Sequence, residues 1–446
     1  MEIYTIGGYN EVGKNMTVVV TGDGEDAFIF DCGIFLSPIV ELEEREQYHT
    51  EKMLRRIKAI PSDYILDEKG IREKVRAIIP SHAHLDHIGA IPYIGYRYKA
   101  DVIGTPFSIE ILKREYEDER LPVKNNLITI HPNSSYMIQG KRRKYQLDFI
   151  NITHSTLQTS MLALHTNEGI FLYANDWKFD NNPIVGKEPN YEQLRKVAEE
   201  GVKAVVVDSL YSRDERKTAS EKVARALLED VMLTTSNEKS AVVVTTFSSH
   251  IARLKSIVDF SKRLGRIPLF VGRSLNKYVS SAKNVKLCPF AKDIKIASYR
   301  NQIEKFLKEA NRNRTKYTIV CTGHQGEPGS ILDRISRGNL PFTFNFEDHI
   351  IFSSSVIPVE VNIENRRALE ERLKKRGVRI FNNVHTSGHP GREDLRDFIK
   401  MIDPEHIIPA HGDQEKLAPM VELCNELGYK TGKDVHLLKD GESLKI

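Results

Sequence analysis

A short run at residues 2–6 alternates apolar and polar positions, and the runs at 16–20 and 27–30 are rich in β-forming residues; all three predict β-strands. The loop from Gly7 to Asn15 separates the first two, and Gly22-Asp23-Gly24 supplies the next turn. Residues 41–58 are dense in Glu, Arg and Lys and predict a surface helix or a lid. An apolar strand at 75–79 precedes helices at 88–98 and 106–119, and strands at 147–152 and 170–173 follow. Beyond a helix at 191–200 and a Val-rich strand at 203–207 the rhythm changes. Helices at 218–231, 249–264 and 298–309 alternate with strands at 241–246, 267–271, 316–321 and 349–352. That alternation predicts a parallel sheet covered on both faces. A last section holds helices at 363–375, 391–402 and 414–427, with strands at 378–381 and 406–409.

Composition narrows the class. The 446 residues are 40% hydrophobic and 28% charged, which suits one large core or two moderate ones and excludes fibrous and disordered chains. No run of 18 apolar residues occurs, and Met1 opens onto Glu2, so neither a membrane span nor a signal peptide is expected. The four cysteines, at 32, 288, 321 and 424, lack CxxC spacing, so a reducing cytoplasm is the expected compartment. The net charge of +4 hides an uneven distribution: residues 211–360 hold 25 basic and 15 acidic side chains, and 261–316 hold 15 and 3. One basic section in a nearly neutral chain suits a polyanion partner.

The chemistry is concentrated in Ser81-His82-Ala83-His84-Leu85-Asp86-His87, directly after the strand at 75–79. Zinc accepts imidazole nitrogen and carboxylate oxygen, and so short a peptide cannot easily turn all four groups onto one ion. The spacing favours two ions side by side.

The HxHxDH motif resembles the metallo-β-lactamase superfamily, and further stretches make the chain similar to the β-CASP ribonucleases, in particular to archaeal-type ribonuclease J. These are Ile6–Met16, Cys321-Thr322-Gly323-His324-Gln325-Gly326-Glu327-Pro328, Phe352–Pro358, His385-Thr386-Ser387-Gly388-His389 and Pro409-Ala410-His411-Gly412-Asp413. The resemblance implies an αββα metallo-β-lactamase sandwich interrupted by an inserted β-CASP α/β domain. The sandwich is expected at 1–208 and 363–446, the insertion at 209–362. It also implies that His154, Asp176 and His411 complete the metal set. His82, His84 and His154 would then hold one zinc ion, and Asp86, His87 and His411 the other, with Asp176 shared. Manganese or magnesium can substitute. Asp31 would orient a ligand without bonding metal. Where many relatives read His-Ser-x-Pro-Asp-Ser, this chain has His154-Ser155-Thr156-Leu157-Gln158-Thr159-Ser160, so only the histidine carries over.

Two such ions can activate water, neutralise phosphoryl oxygens and stabilise the departing oxygen. No Ser or Cys sits in a nucleophile elbow, so direct attack by water is expected. His389 matches a family histidine outside the metal set and is expected to supply the proton or stabilise the transition state. Asp208 matches a family carboxylate and is expected to orient a zinc-bound histidine. Ser248, Ser249 and His250, then Gly323, His324, Gln325 and Glu327, then Ser353, Ser354 and Ser355, with His385 and Ser387, are the loops the resemblance assigns to an RNA 5′-monophosphate. Single-stranded RNA is the expected partner and a homodimer the expected assembly. A 5′-to-3′ exoribonuclease, with some endonuclease activity, is the preferred reading. A cleavage-factor-like 3′-end-processing endonuclease and an inactive RNA-binding scaffold are the alternatives; a complete metal set argues against the scaffold.

Overall fold

The computed structural model describes residues 1–40, 49–357 and 359–446. Residues 41–48 of the helix or lid expected at 41–58, and Pro358 of the stretch Phe352–Pro358, lie outside the described residues; within the rest of the former, Glu51–Arg56 is a helix capped by Thr50.

The described residues fall into two compact units. The first comprises 1–181, 187–218 and 388–446, and the second comprises 182–186 and 219–387. The first unit holds two sheets among the described residues. One runs Glu442–Lys445, Glu2–Gly7, Met16–Val20, Ala27–Phe30, Val75–Ile79, Asp101–Gly104, Leu127–Thr129. The other runs His406–Ala410, Val202–Asp208, Gly169–Ala174, Ser160–Thr166, Lys144–Asn151, Ser134–Gln139. Because side chains alternate along a strand, the second sheet serves two cores at once. Phe171, Tyr173, Ala204 and Val206 face Phe28, Phe30, Ala77 and Ile79 of the first sheet. Leu172, Ala174, Val205 and Val207 face the other way, onto Leu194, Leu395, Phe398 and Met420 of three helices. Helix Pro106–Asp118 buries Phe107, Ile111 and Leu112 beside the first sheet. This is the αββα sandwich.

The second unit has one all-parallel sheet among the described residues, ordered Lys295–Ala297, Ile267–Val271, Tyr317–Cys321, Val242–Thr245, His349–Phe352, Arg379–Phe381. Its chain order is doubly wound. The connection from Val242–Thr245 leads toward Ile267–Val271 on one side, and that from His349–Phe352 leads toward Arg379–Phe381 on the other.

Three local expectations change. Helix Glu360–Lys374 and strand Arg379–Phe381, expected to begin the C-terminal sandwich section, lie in the second unit, because the strand pairs in parallel with His349–Phe352. The single helix expected at 88–98 is three short turns, Leu85–Ile88, Ile91–Ile94 and Gly95–Arg97, broken at Gly89–Ala90 and at the Ile94–Gly95 junction; Pro92, in the first turn of the second, has no N–H to carry the first helix on. Helix Arg273–Asn284 was not foreseen; its exposed face is polar and its buried stripe, Leu275, Tyr278, Val279 and Ala282, is sparse.

Candidate active site

The candidate metal ligands of the first unit sit where strands end. His82 follows Val75–Ile79, His84 caps the helix carrying Asp86 and His87, and His154 follows Lys144–Asn151. Asp176 follows Gly169–Ala174 and His411 follows His406–Ala410. Asp31, Asp176 and His411 all have positive φ, at 58°, 55° and 67°. Left-handed backbone at three non-glycine residues costs energy and concentrates at functional sites.

Three groups of donor atoms result, each within 4.8 Å of one another: His82, His84, His154 and Asp176, then Asp86, His87, Asp176 and His411, and a smaller one of Asp176, Asp208 and His389. In the first, His82 Nε2 and His154 Nε2 lie 3.1 and 3.2 Å from His84 Nδ1. Three imidazole nitrogens cannot all donate to one another. The far nitrogens settle which lone pairs point inward: His154 Nδ1 donates to Gly388 O at 2.7 Å, and His82 Nδ1 lies 3.0 Å from Ser81 Oγ. Burial holds the His82 and His154 imidazoles well below their ordinary pKa and brings His84 to about 4, so these rings are neutral. Asp176 Oδ2 approaches His82, His87 and His154 at 3.5, 3.3 and 3.4 Å, while its buried Oδ1 has no hydrogen-bond partner. Converging neutral nitrogens around an under-used carboxylate fit a divalent cation.

Neighbouring groups hold this set in place. Asp31 Oδ2 lies 2.6 Å from His87 Nδ1, and Asp31 also accepts from Ser81 N and Oγ at 2.7 and 3.0 Å. Burial opposes a charged His87, but Asp176, Asp86 and Asp31 outweigh it and push that imidazole upward. Asn15, which sequence reasoning did not single out, donates to Asp86 O at 3.0 Å and accepts at Oδ1, 3.1 Å from both His411 Nδ1 and Asn175 Nδ2. Gly388 must be glycine: a Cβ there would meet the His154 ring at 2.9 Å.

Asp208 differs from expectation. It bonds no histidine of the two larger donor groups; its Oδ2 lies 2.7 Å from His389 Nδ1, and its Oδ1 accepts from Leu210 N. The reason is position: Asp208 ends strand Val202–Asp208, beside His406–Ala410, where His389 stacks on His411 at 5.3 Å between ring centres. Burial opposes charge on His389, yet Asp208 and Asp176 outweigh it and raise the imidazole to about 9.

The residues expected to take a phosphate all lie in the second unit. Many are engaged within it. His250 Nδ1 accepts from Arg253 N as a helix cap, and its Nε2 faces Glu221. Ser248 Oγ bonds Ser274 Oγ, and Ser353 Oγ donates to Val384 O. Gln325 bridges Ser355 O and Ile357 N, and Glu327 accepts from Gln325 N. Gly323 has φ 116°, where a Cβ would strike Ser330 and Leu332. His324 and Ser354 are buried with neither ring nitrogen and no hydroxyl bonded. Ser355 Oγ lies 3.4 Å from His385 Nε2; Ser249 and Ser387 stand in the same loops.

Among the described residues no helix is long and apolar enough to cross a membrane. Comparison with known proteins matches residues 9–178 to the metallo-β-lactamase superfamily, 239–368 to the ribonuclease J β-CASP domain, and 367–438 to the Zn-dependent metallo-hydrolase RNA specificity domain. The chain is 41% identical to Ribonuclease J of Methanocaldococcus jannaschii over all of this chain and 99% of that one. It is likewise 41% identical to Ribonuclease J of Pyrococcus abyssi, over all of this chain and 97% of that one. A crystal structure of a protein of unknown function from Enterococcus faecalis V583 shares the fold, with a TM-score of 0.65 and 16% identity over 99% of both chains. The chain is thus a metallo-hydrolase with sites for a divalent metal, and it belongs to the ribonuclease J family, archaeal type, of β-CASP proteins on the metallo-β-lactamase fold.

Proposed function

We propose that this protein is a zinc-dependent 5′-to-3′ exoribonuclease that hydrolyses phosphodiester bonds of single-stranded RNA and prefers 5′-monophosphate ends. The observation that carries the reading is the pair of donor groups sharing Asp176, with the His389–Asp208 couple beside them. Two ions would be held by His82, His84, His154 and Asp176 and by Asp86, His87, His411 and Asp176. When bound, such ions activate water, neutralise phosphoryl oxygens and stabilise the departing oxygen.

The chain's own residues do the rest. His389 donates Nδ1–H to Asp208, which leaves the transferable proton on Nε2 for the departing 3′-oxygen. Asp208 stabilises the imidazolium and fixes its ring. Asp31, Asn15 and Gly388 O hold three ligand rings in one tautomer and orientation.

Support for an end-reading phosphate site comes from the second unit's sheet. Its chain order reverses between Val242–Thr245 and His349–Phe352, and ligands of open parallel sheets bind outside the carboxyl ends at such a switch. The loops Ser248–His250 and Ser353–Ser355 begin there. A homodimer and some endonuclease activity belong to the same proposal.

The test is digestion of one RNA labelled at either end, in 5′-monophosphate, triphosphate and hydroxyl forms. Immediate release of labelled mononucleotide from the 5′ end, fastest with the monophosphate, is expected. A ladder of shortening 5′-labelled fragments, with mononucleotide leaving the 3′ end at once, would overturn the polarity. Internal cuts indifferent to the 5′ group would favour the processing endonuclease.

A further inference from the structure

Arg253 is wholly buried in the first turn of helix Ile251–Arg263, far too costly a place for an unpaired charge. Its Nε and Nη2 donate to Glu221 Oε1 and Oε2 at 2.5 and 2.8 Å, a two-pronged pair. Burial opposes charge on Glu221, yet Arg253 and His250 outweigh it and hold the carboxyl well below its usual range. The third nitrogen, Nη1, faces Ser353 O at 2.7 Å, Ser353 Oγ at 2.9 Å and His385 Nδ1 at 3.3 Å. One guanidinium thus gathers the end of strand His349–Phe352 and the segment Val384–His385, which Ser353 Oγ ties together through Val384 O.

A guanidinium has donors only. His385 Nδ1 faces it and must therefore accept, which puts the ring proton on Nε2. A proton on Nδ1 would set N–H against N–H beside a permanent positive charge. Nε2 of the half-buried ring lies 3.4 Å from Ser355 Oγ.

We propose that Arg253, clamped by Glu221, is a positioning residue that holds His385 as a neutral Nε2–H donor for the 5′-terminal phosphate of RNA. This rests on the reading of these loops as the phosphate site. A neutral, fixed donor recognises the phosphate by direction, without a charge on His385 that varies with pH.

The metal-loaded full chain tests it in two ways. Long-range proton–nitrogen NMR of the histidine rings, with His385 assigned through His385→Gln, should show the Nε2–H tautomer throughout pH 5.5–8. An Nδ1–H tautomer or an imidazolium in that range would overturn the proposal without any Arg253 variant having to fold. Arg253→Lys keeps the charge and loses the fork. Its single-turnover rate on 5′-monophosphate RNA should fall about tenfold, the worth of a hydrogen bond to a charged group. Its rate on 5′-hydroxyl RNA and its metal content should hold. Equal loss on both substrates would make Arg253 merely structural, and an intact monophosphate preference would remove its role. A wild-type protein with no monophosphate preference would instead sink the reading of the loops, whatever the tautomer.

Discussion

Asp208 Oδ2 stands 2.7 Å from His389 Nδ1, and this couple meets the two histidine-rich donor groups at Asp176. The couple has the geometry of a proton donor held in one orientation, and the two residues should fail in different ways. His389→Ala removes the proton and should slow the chemical step about 10²–10⁴-fold with metal content unchanged. Asp208→Asn keeps a hydrogen-bonding side chain but no charge, so the imidazole falls from about 9 toward its ordinary value. Its rate loss should be smaller and should deepen as pH rises, because less of the ring is then protonated. Single-turnover cleavage against pH, with elemental analysis of each variant, checks both. Loss of an ion from His389→Ala would make it a ligand instead.

Asp176 belongs to all three donor groups and Asp31 to none. Asp176→Ala should therefore lose both ions and all cutting, whereas His411→Ala should weaken one group first. Asp31→Asn leaves every donor atom in place but no longer anchors His87 Nδ1 as a carboxylate. Such outer contacts carry about 10–100-fold in metal affinity. Competition with a chelator, read by elemental analysis, should show that graded loss. A full complement of metal in Asp176→Ala would undo the shared-carboxylate arrangement.

How much of this was legible beforehand depended on sequence distance. His82, His84, Asp86 and His87 betray themselves because a metal needs them within one turn of chain. His154, Asp176 and His411 carry no local signal; resemblance supplied them, and the folded chain brings them together through strand ends. Asn15 and the buried Glu221–Arg253 pair escaped notice, because a polar residue reads as surface until its partners arrive from elsewhere in the chain. The return to the sandwich at Gly388 was misplaced for a related reason. Strand Arg379–Phe381 looks like any short apolar run, and only its pairing with His349–Phe352 says which sheet owns it.

The basic section should make RNA binding salt-dependent, but less steeply than its composition suggests. Arg266 is buried against the carbonyls of Asn237 and Ser240, Arg314 pairs with Asp348, and Lys262 pairs with Asp293 at 2.8 Å. Each phosphate contact on a single strand adds roughly 0.7 to the slope of log affinity against log salt. The slope should therefore correspond to fewer contacts than the 15 basic residues at 261–316. Fluorescence anisotropy of a non-cleavable RNA over a salt series measures it, and a flat response would reduce the section to a solvated face.

His324 is buried against Phe247 with rings 4.1 Å apart at their centres, and neither ring nitrogen has a hydrogen-bond partner. A buried polar group left unsatisfied costs about 1–3 kcal/mol, and an apolar residue of similar size removes that cost. His324→Leu should therefore be more stable by roughly 1 kcal/mol at neutral pH, seen as a higher urea midpoint with unchanged slope. Acid should widen the gap. Burial depresses the folded imidazole below 6.5, so under that pH the unfolded chain takes up a proton that the folded one refuses. Stability from this group is full above 6.5 and drains away as pH falls toward the folded value. The leucine variant has no such loss, so its advantage should be larger at pH 5.5 than at pH 7.5. A variant less stable than the parent at both would mean that the ring makes a contact worth more than its unpaired nitrogens cost.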